Sequence, residues 1–318
     1  MKKSHTIILG LSSGVLLIGL WAYYVGMPAF VAQQMAAAAA KSAPRSVAGT
    51  EEYKGAEFCG TCHPRQLADW RGSLHAKATT EAVYLPRYQE LSWAMPLAQC
   101  DGCHAPTPQR AEGVTCEGCH GPGRTERVAR DICLGCHQIH TMSAAMEPLS
   151  TGREFAASAA RAAGLDCVSC HMPARGGTVF HGFSGSRAAP EVYKGVVTIQ
   201  SIERKGARLV VRVRNGVAGH FLPTGAPENV MFLTVRGSDA HGRVVYAREH
   251  RFEKNMFRFR DMPMFTIADT RLRDGEAREV EFAVPETAKV ECAIVIRPLL
   301  WTGKQVEQVI DSSVWAAR

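Results

Sequence analysis

Aromatic residues make up only 8% of the chain, and nowhere do they interleave with a dense Lys/Arg stripe. The sequence therefore lacks the surface with which nucleic-acid binders stack bases and hold phosphates, and no nucleic-acid partner is expected. Charge of one sign does not dominate either, with 37 basic against 30 acidic side chains and a formal net charge of +7. Together with 46% hydrophobic residues, this composition excludes wholesale disorder and a polytopic membrane protein. Its 318 residues allow two domains of ordinary size, each with a core of its own. Residues 53–188 have few β-branched runs, and residues 190–318 have no cysteine pair. What the chain holds in quantity is 11 cysteines and 12 histidines.

Ten of those cysteines fall in five pairs, each followed directly by histidine. Cys59 and Cys62 precede His63, Cys100 and Cys103 precede His104, and Cys116 and Cys119 precede His120. Cys133 and Cys136 precede His137, and Cys167 and Cys170 precede His171. This is the attachment pattern of c-type haem. Two thiols three positions apart reach the two vinyl groups on one porphyrin edge as thioethers, and the next imidazole ligates the iron from below. A zinc site or a redox dithiol uses a lone Cys-x-x-Cys and needs no trailing histidine every time. A disulfide framework does not favour partners two residues apart, five times over. Five covalent haems c are the reading. Cys292, in the apolar run 290–296, is a small hydrophobe in a strand, without chemistry.

Haem c is attached outside the bacterial cytoplasm, so the N-terminus must carry an address. Lys2 and Lys3 precede a nearly continuous apolar stretch over residues 6–30, longer than the ~7–15 residues of a cleaved h-region and near the ~20 of a spanning helix. Trp21, Tyr23 and Tyr24 suit the outer interface. Residues 1–35 thus read as an anchor in the inner membrane, with cleavage after Ala36–Ala40 as the alternative. Residues 36–52 are an Ala/Ser/Pro tether. Either way the working part is periplasmic.

From 53 to 188, each of five haems has fewer than 30 residues to cover it, so the porphyrins themselves would form the core of a mostly irregular, short-helical domain. Helices are expected at 64–72, 82–91 and 151–163. After Pro190 the texture changes to alternating apolar and polar residues at 196–202 and 208–214, around Lys205-Gly206. Strands at 230–236 and 243–248 flank Asp239-Ala240-His241-Gly242, and 279–284 and 293–299 supply two more. Residues 190–318 therefore read as a separate all-β module, an immunoglobulin-like sandwich.

Tyr53-Lys54-Gly55-Ala56, Trp70-Arg71-Gly72-Ser73-Leu74-His75-Ala76, Gly113 to Gly123 around the third motif, and Cys170-His171-Met172-Pro173 followed by His181-Gly182-Phe183 resemble the cytochrome c-554 family. The resemblance covers residues 53–185. It implies a periplasmic multihaem electron carrier, the family type being a tetrahaem protein that serves hydroxylamine oxidation. Five motifs and the β-module depart from that type and leave the redox partner open. His75 and His181 match family positions that reach across to neighbouring haems.

Beyond the proximal set, seven histidines remain: His5, His75, His140, His181, His220, His241 and His250. His5 precedes the apolar segment. His220 sits in the Gly/Pro-rich loop 215–225, which looks like one recurring in multihaem cytochromes; there an imidazole without a task would be odd, so ligation is favoured over a bond to the loop backbone. His140 follows His137 too closely to cross the same porphyrin, but an adjacent one is in reach. His241 lies at a hairpin tip, and His250 ends a strand. Met142, Met146 and Met172 are minor candidates for axial thioethers. The count gives three or four bis-His irons and leaves room for one five-coordinate iron.

Only 11 residues separate His104 from Cys116, and 12 separate His120 from Cys133. Such tethers hold successive haems close enough for electron hopping. Each haem c adds about −1 when ferric and about −2 when ferrous, since two propionates offset the iron. The +7 then falls to about +2 oxidised and about −3 reduced, so the basic balance says little about partners. Electron relay between redox partner proteins is the expectation. The alternative is an oxidoreductase with an open iron acting on a small nitrogen or sulfur species, although no lysine replaces a proximal histidine and no tyrosine crosslink motif occurs.

Overall fold

The computed structural model describes residues 53–81, 84, 97–122, 131–141, 143–185, 194–216, 219–257, 265–287, 289–298 and 307–316. The expected anchor (1–35), the tether (36–52), most of the expected helix 82–91 and Met142 lie outside these. No helix among the described residues is long and apolar enough to cross a membrane.

The first half is built of short helices: α1 (Gly55–Gly60), α2 (Pro64–Gly72), α3 (Leu97–His104), α4 (Cys116–His120), α5 (Leu134–His137), α6 (Thr151–Ala156), α7 (Ala159–Ala162) and α8 (Cys167–His171). Helix α2 covers the expected span. Pro64 opens it with its φ already set and no N–H to strand. The helix expected over 151–163 is instead two. Ser158 breaks it by leaving helical geometry and accepting the Arg161 N–H on its own hydroxyl, which caps α7 as a new start.

Conventional apolar packing is thin here. Ala56, Leu67 and Trp70 form one small cluster. Polar ties do more. Glu117 is buried and accepts the backbone N–H groups of Lys54 and Gly55, both at 3.0 Å. Trp70 donates its indole N–H to the Val114 carbonyl at 2.7 Å. Gly113, at φ +67, lets the chain pass so close that a Cβ would lie 2.3 Å from the His75 carbonyl.

The second half is a β-module, preceded by the small ribbon β1 (Ala174–Arg175) and β2 (Thr178–Val179). Its strands are β3 (Val197–Lys205), β4 (Arg208–Asn215), β5 (Asn229–Ser238), β6 (Val244–Phe252), β7 (Lys254–Phe257), β8 (Phe265–Asp269), β9 (Ala277–Ala283), β10 (Lys289–Pro298) and β11 (Gln308–Ala316). One sheet runs β11-β10-β5-β6, a second β3-β4-β9, and β7 pairs with β8, all antiparallel. Alternation sends Leu209, Val211 and Val213 of one sheet, and Met231, Leu233 and Val235 of the other, into a common core. Cys292 joins that core from β10, and burial pushes its thiol up to about 12.

The six expected strands are present. Strands β7, β8 and β11 add to them. Strand β11 carries Asp311-Ser312-Ser313 at its centre and alternates only weakly, because most of its side chains are partly exposed.

Leu233 is fully buried between the two large sheets. Leu233→Ala is expected to cost about 2–5 kcal/mol, read as a lower guanidinium midpoint with an unchanged slope. A loss under about 0.5 kcal/mol, as for a surface site, would mean that the sheets do not share this core.

Candidate haem-binding centres

The second, third, fourth and fifth Cys-x-x-Cys-His motifs each end a short helix, α3, α4, α5 and α8, and the first runs out of the end of α1. A helical turn puts residues three and four apart on one face, so both thiols and the imidazole project together. The fifth turn is fixed by a capping box, in which Asp166 accepts the Ser169 N–H at 2.7 Å while the Ser169 hydroxyl faces the Asp166 N–H. Thiols of different motifs also meet: Cys59 with Cys116, Cys103 with Cys136, and Cys133 with Cys167. The first motif thus adjoins the third, the second the fourth, and the fourth the fifth. Burial pushes the Cys116 thiol up to about 12.

The ten motif thiols differ in how far the chain itself covers them. Cys62 and Cys170 are exposed, whereas Cys59, Cys100, Cys103, Cys116, Cys119, Cys133, Cys136 and Cys167 are half-buried. For Cys62 the reason is local. Helix α1 stops at Gly60, so Cys62 sits in the turn before Pro64, where its Sγ has the Thr61 hydroxyl at 3.9 Å. Cys170 lies near the C-terminal end of the five-residue helix α8, none of whose residues is buried. Exposure leaves both thiols open to a vinyl group.

Among the described residues, three imidazole pairs face each other across similar gaps. His171 and His220 lie 6.2 Å apart between ring centres, with planes 13° from parallel. His120 and His181 lie 6.4 Å apart at 24°, and His75 and His137 lie 6.2 Å apart at 67°. With a metal–nitrogen distance of about 2 Å to each ring and roughly 1.1 Å more to each ring centre, two axial imidazoles stand about 6.3 Å apart. The gaps fit an iron. Each pair joins one motif histidine to one of the four distal candidates of the sequence, here His75, His181 or His220. His63, His104 and His140 are in none of these pairs. His140 is exposed, with Nδ1 4.0 Å from Glu147 Oε1.

The nitrogens point the same way. His181 and His220 donate Nδ1–H to the carbonyls of Val179 (2.8 Å) and Phe221 (3.1 Å), and His104 donates to Ala78 (3.0 Å). His171 does the same to Ser184. A carbonyl can only accept, so Nδ1 carries the proton and Nε2 keeps its lone pair for a metal. The Nδ1 of His75 is buried without a hydrogen-bond partner, a costly state for a polar atom that a metal would relieve. Burial, with His137, His104 and His171 nearby, pushes His75 down to about 4. Burial is also the leading cause that lowers His104 and His220. These imidazoles are held neutral, the form that ligates.

Residues 58–121 match the family described as Cytochrome c554 and c-prime. Over those residues the chain is similar to this family. Among solved structures its fold is similar to that of a penta-heme cytochrome c552 from Thermochromatium tepidum, at 19% identity and a TM-score of 0.66, covering 83% of this chain and 98% of that one. Residues 53–188 alone cannot supply such a share, so the common fold runs into the β-module. A β-glucosidase from Kluyveromyces marxianus aligns over 38% of this chain and 14% of its own, at 9% identity and a TM-score of 0.18, too low to bear on the fold. No curated protein matches the chain.

The loop carrying His220 arrives from the β-module and seats on the half that carries the Cys-x-x-Cys-His motifs through buried charge. Glu154, on α6, pairs with Arg271 at 2.8 Å, both side chains 4% exposed. Arg271 also pairs with Asp269 at 2.7 Å. Lys254, buried at the start of β7, donates to the Glu147 carbonyl at 2.5 Å and to the Ser150 hydroxyl at 3.1 Å. The sequence reading missed this network, since nothing local marks a charged residue for burial. It also gave no role to Phe183, whose ring stands edge-on to His75 at 4.2 Å and to His181 at 6.1 Å. Tyr84 was missed as well. Its ring lies 4.2 Å from that of His104, too close for a porphyrin between them.

Arg271→Met leaves Glu154 buried without its charge partner, and is expected to cost about 3–5 kcal/mol. Guanidinium unfolding of the holoprotein checks this; a loss under about 1 kcal/mol would mean that water replaces the guanidinium.

Proposed function

We propose that the chain is a periplasmic pentahaem c-type cytochrome that relays electrons between redox partner proteins, anchored to the inner membrane through residues 1–35. The observation that carries this reading is the set of facing imidazole pairs, because bis-His ligation closes both axial positions and leaves no place for substrate. The five Cys pairs, the exposed Cys62 and Cys170 included, hold five haems c. His63, His104, His120, His137 and His171 are the proximal ligands, and His75, His181 and His220 close the far sides of the fourth, third and fifth sites.

The bound haems supply one-electron redox chemistry. Around them, the chain fixes the rings of His104, His171, His181 and His220 through Nδ1–H bonds to backbone carbonyls, so little has to rearrange there when charge changes. Neighbouring motifs adjoin one another, which favours hopping along a row. The strand order β3-β4-β9 against β11-β10-β5-β6 supports an immunoglobulin-like reading of the β-module. Its place here is to deliver His220.

A second reading, an oxidoreductase acting on a small nitrogen or sulfur species, rests on His63 and His104, which stand outside the three pairs. His140 is the remaining candidate to close one of them. An iron left open at either site would bind such a molecule.

The mass of the holoprotein is expected to include five haems. In the ferric state, His75→Ala, His181→Ala and His220→Ala should each convert one low-spin haem to a high-spin form that binds cyanide. Variants that stay fully low-spin would remove the pairing. A wild-type protein that binds cyanide or nitric oxide at one haem would favour the second reading.

A further inference from the structure

The backbone on each side of His220 is tied to a carboxylate. The Gly219 N–H donates to Asp274 Oδ1 at 3.0 Å, and the Phe221 N–H donates to Glu154 Oε2 at 3.2 Å. The same Glu154 oxygen accepts the Thr224 hydroxyl at 2.9 Å, further along the loop. Between these ties, the His220 carbonyl accepts from Asn215 Nδ2 at 3.1 Å. Gly219 has φ +69, and a Cβ there would stand 3.1 Å from the Ala160 Cβ and 3.2 Å from the Phe155 ring. The loop therefore lies directly on α6 and α7.

Glu154 does more than balance a charge. Arg271 already has Asp269 as a partner, whereas Glu154 turns one oxygen to Arg271 and Ser150 and the other to the loop. A desolvated carboxylate is costly unless its acceptors are filled, and here they are filled by groups that set where residue 220 sits. We propose that Glu154 is a positioning residue for iron ligation: it holds His220 in line with His171 and so keeps the fifth haem six-coordinate. This rests on the reading that His171 and His220 share an iron.

The test uses the full-length ferric holoprotein and reads spin state by EPR and optical spectra, with and without cyanide. Glu154→Gln is expected to convert a fraction of one haem to a high-spin, cyanide-binding form, with free imidazole restoring the low-spin signal. Glu154→Asp, which keeps a charge for Arg271 but draws it back from Phe221, should do the same, and stands in if the Gln variant does not fold. Lys254→Met cuts the same contact between the two halves without touching the loop, and should leave every low-spin haem unchanged. The proposal is overturned if the Glu154 variants remain fully low-spin, or if Lys254→Met yields an equal high-spin fraction, since loosened docking would then be the cause. If His220→Ala itself yields no high-spin haem, the His171–His220 pairing falls, and the proposal with it.

Discussion

Two imidazoles can share an iron only within a narrow range of separation, and meeting that range is the constraint on which the rest of this molecule depends. A motif histidine comes with its thiols on one helical turn and needs little else. Its partner must be brought from elsewhere in the chain and stopped about 6.3 Å away, centre to centre. Three routes do this. His181 returns from the β1–β2 ribbon to face His120, not the nearer-in-sequence His171. His75 follows α2 and is pinned where Val114 N–H meets its carbonyl at 2.9 Å. His220 comes from the β-module.

The third route explains why two halves of such different texture are joined by buried charge. An apolar contact would let one half slide on the other, because such contacts are non-directional. The Glu154–Arg271 pair and the Lys254 bonds to Glu147 and Ser150 have fixed geometry. Taking those charges out of water costs several kcal/mol per ion, so the arrangement is tolerated only with every acceptor filled. The similarity to the penta-heme cytochrome c552 agrees, since it spans more of the chain than the haem-bearing half contains. The β-module and the haem region are better regarded as one working structure.

How much of this was legible in the sequence follows from how local each feature is. The motifs read directly, because thioether and proximal chemistry are confined to five residues each. Their burial did not, and Cys62 shows why: where a helix stops short of its motif, spacing alone says nothing about exposure. Strands with clean alternation read well, as with 208–214, which became β4. Strand β11 did not, since its polar centre hides the period. The helix 151–163 failed at Ser158, where a cap competed with continuing helical propensity. His75 and His181 were reached by family resemblance and His220 by the oddity of its loop, but no sequence pattern says which iron each faces. Glu154 and Arg271 read as ordinary surface charges, because burial of a pair exists only after the halves meet.

Iron-edge anomalous diffraction from crystals of the holoprotein tests the central claim most directly. Iron peaks are expected midway between His171 and His220, between His120 and His181, and between His75 and His137. Irons beside His120, His137 and His171 but displaced from His181, His75 and His220 would contradict it.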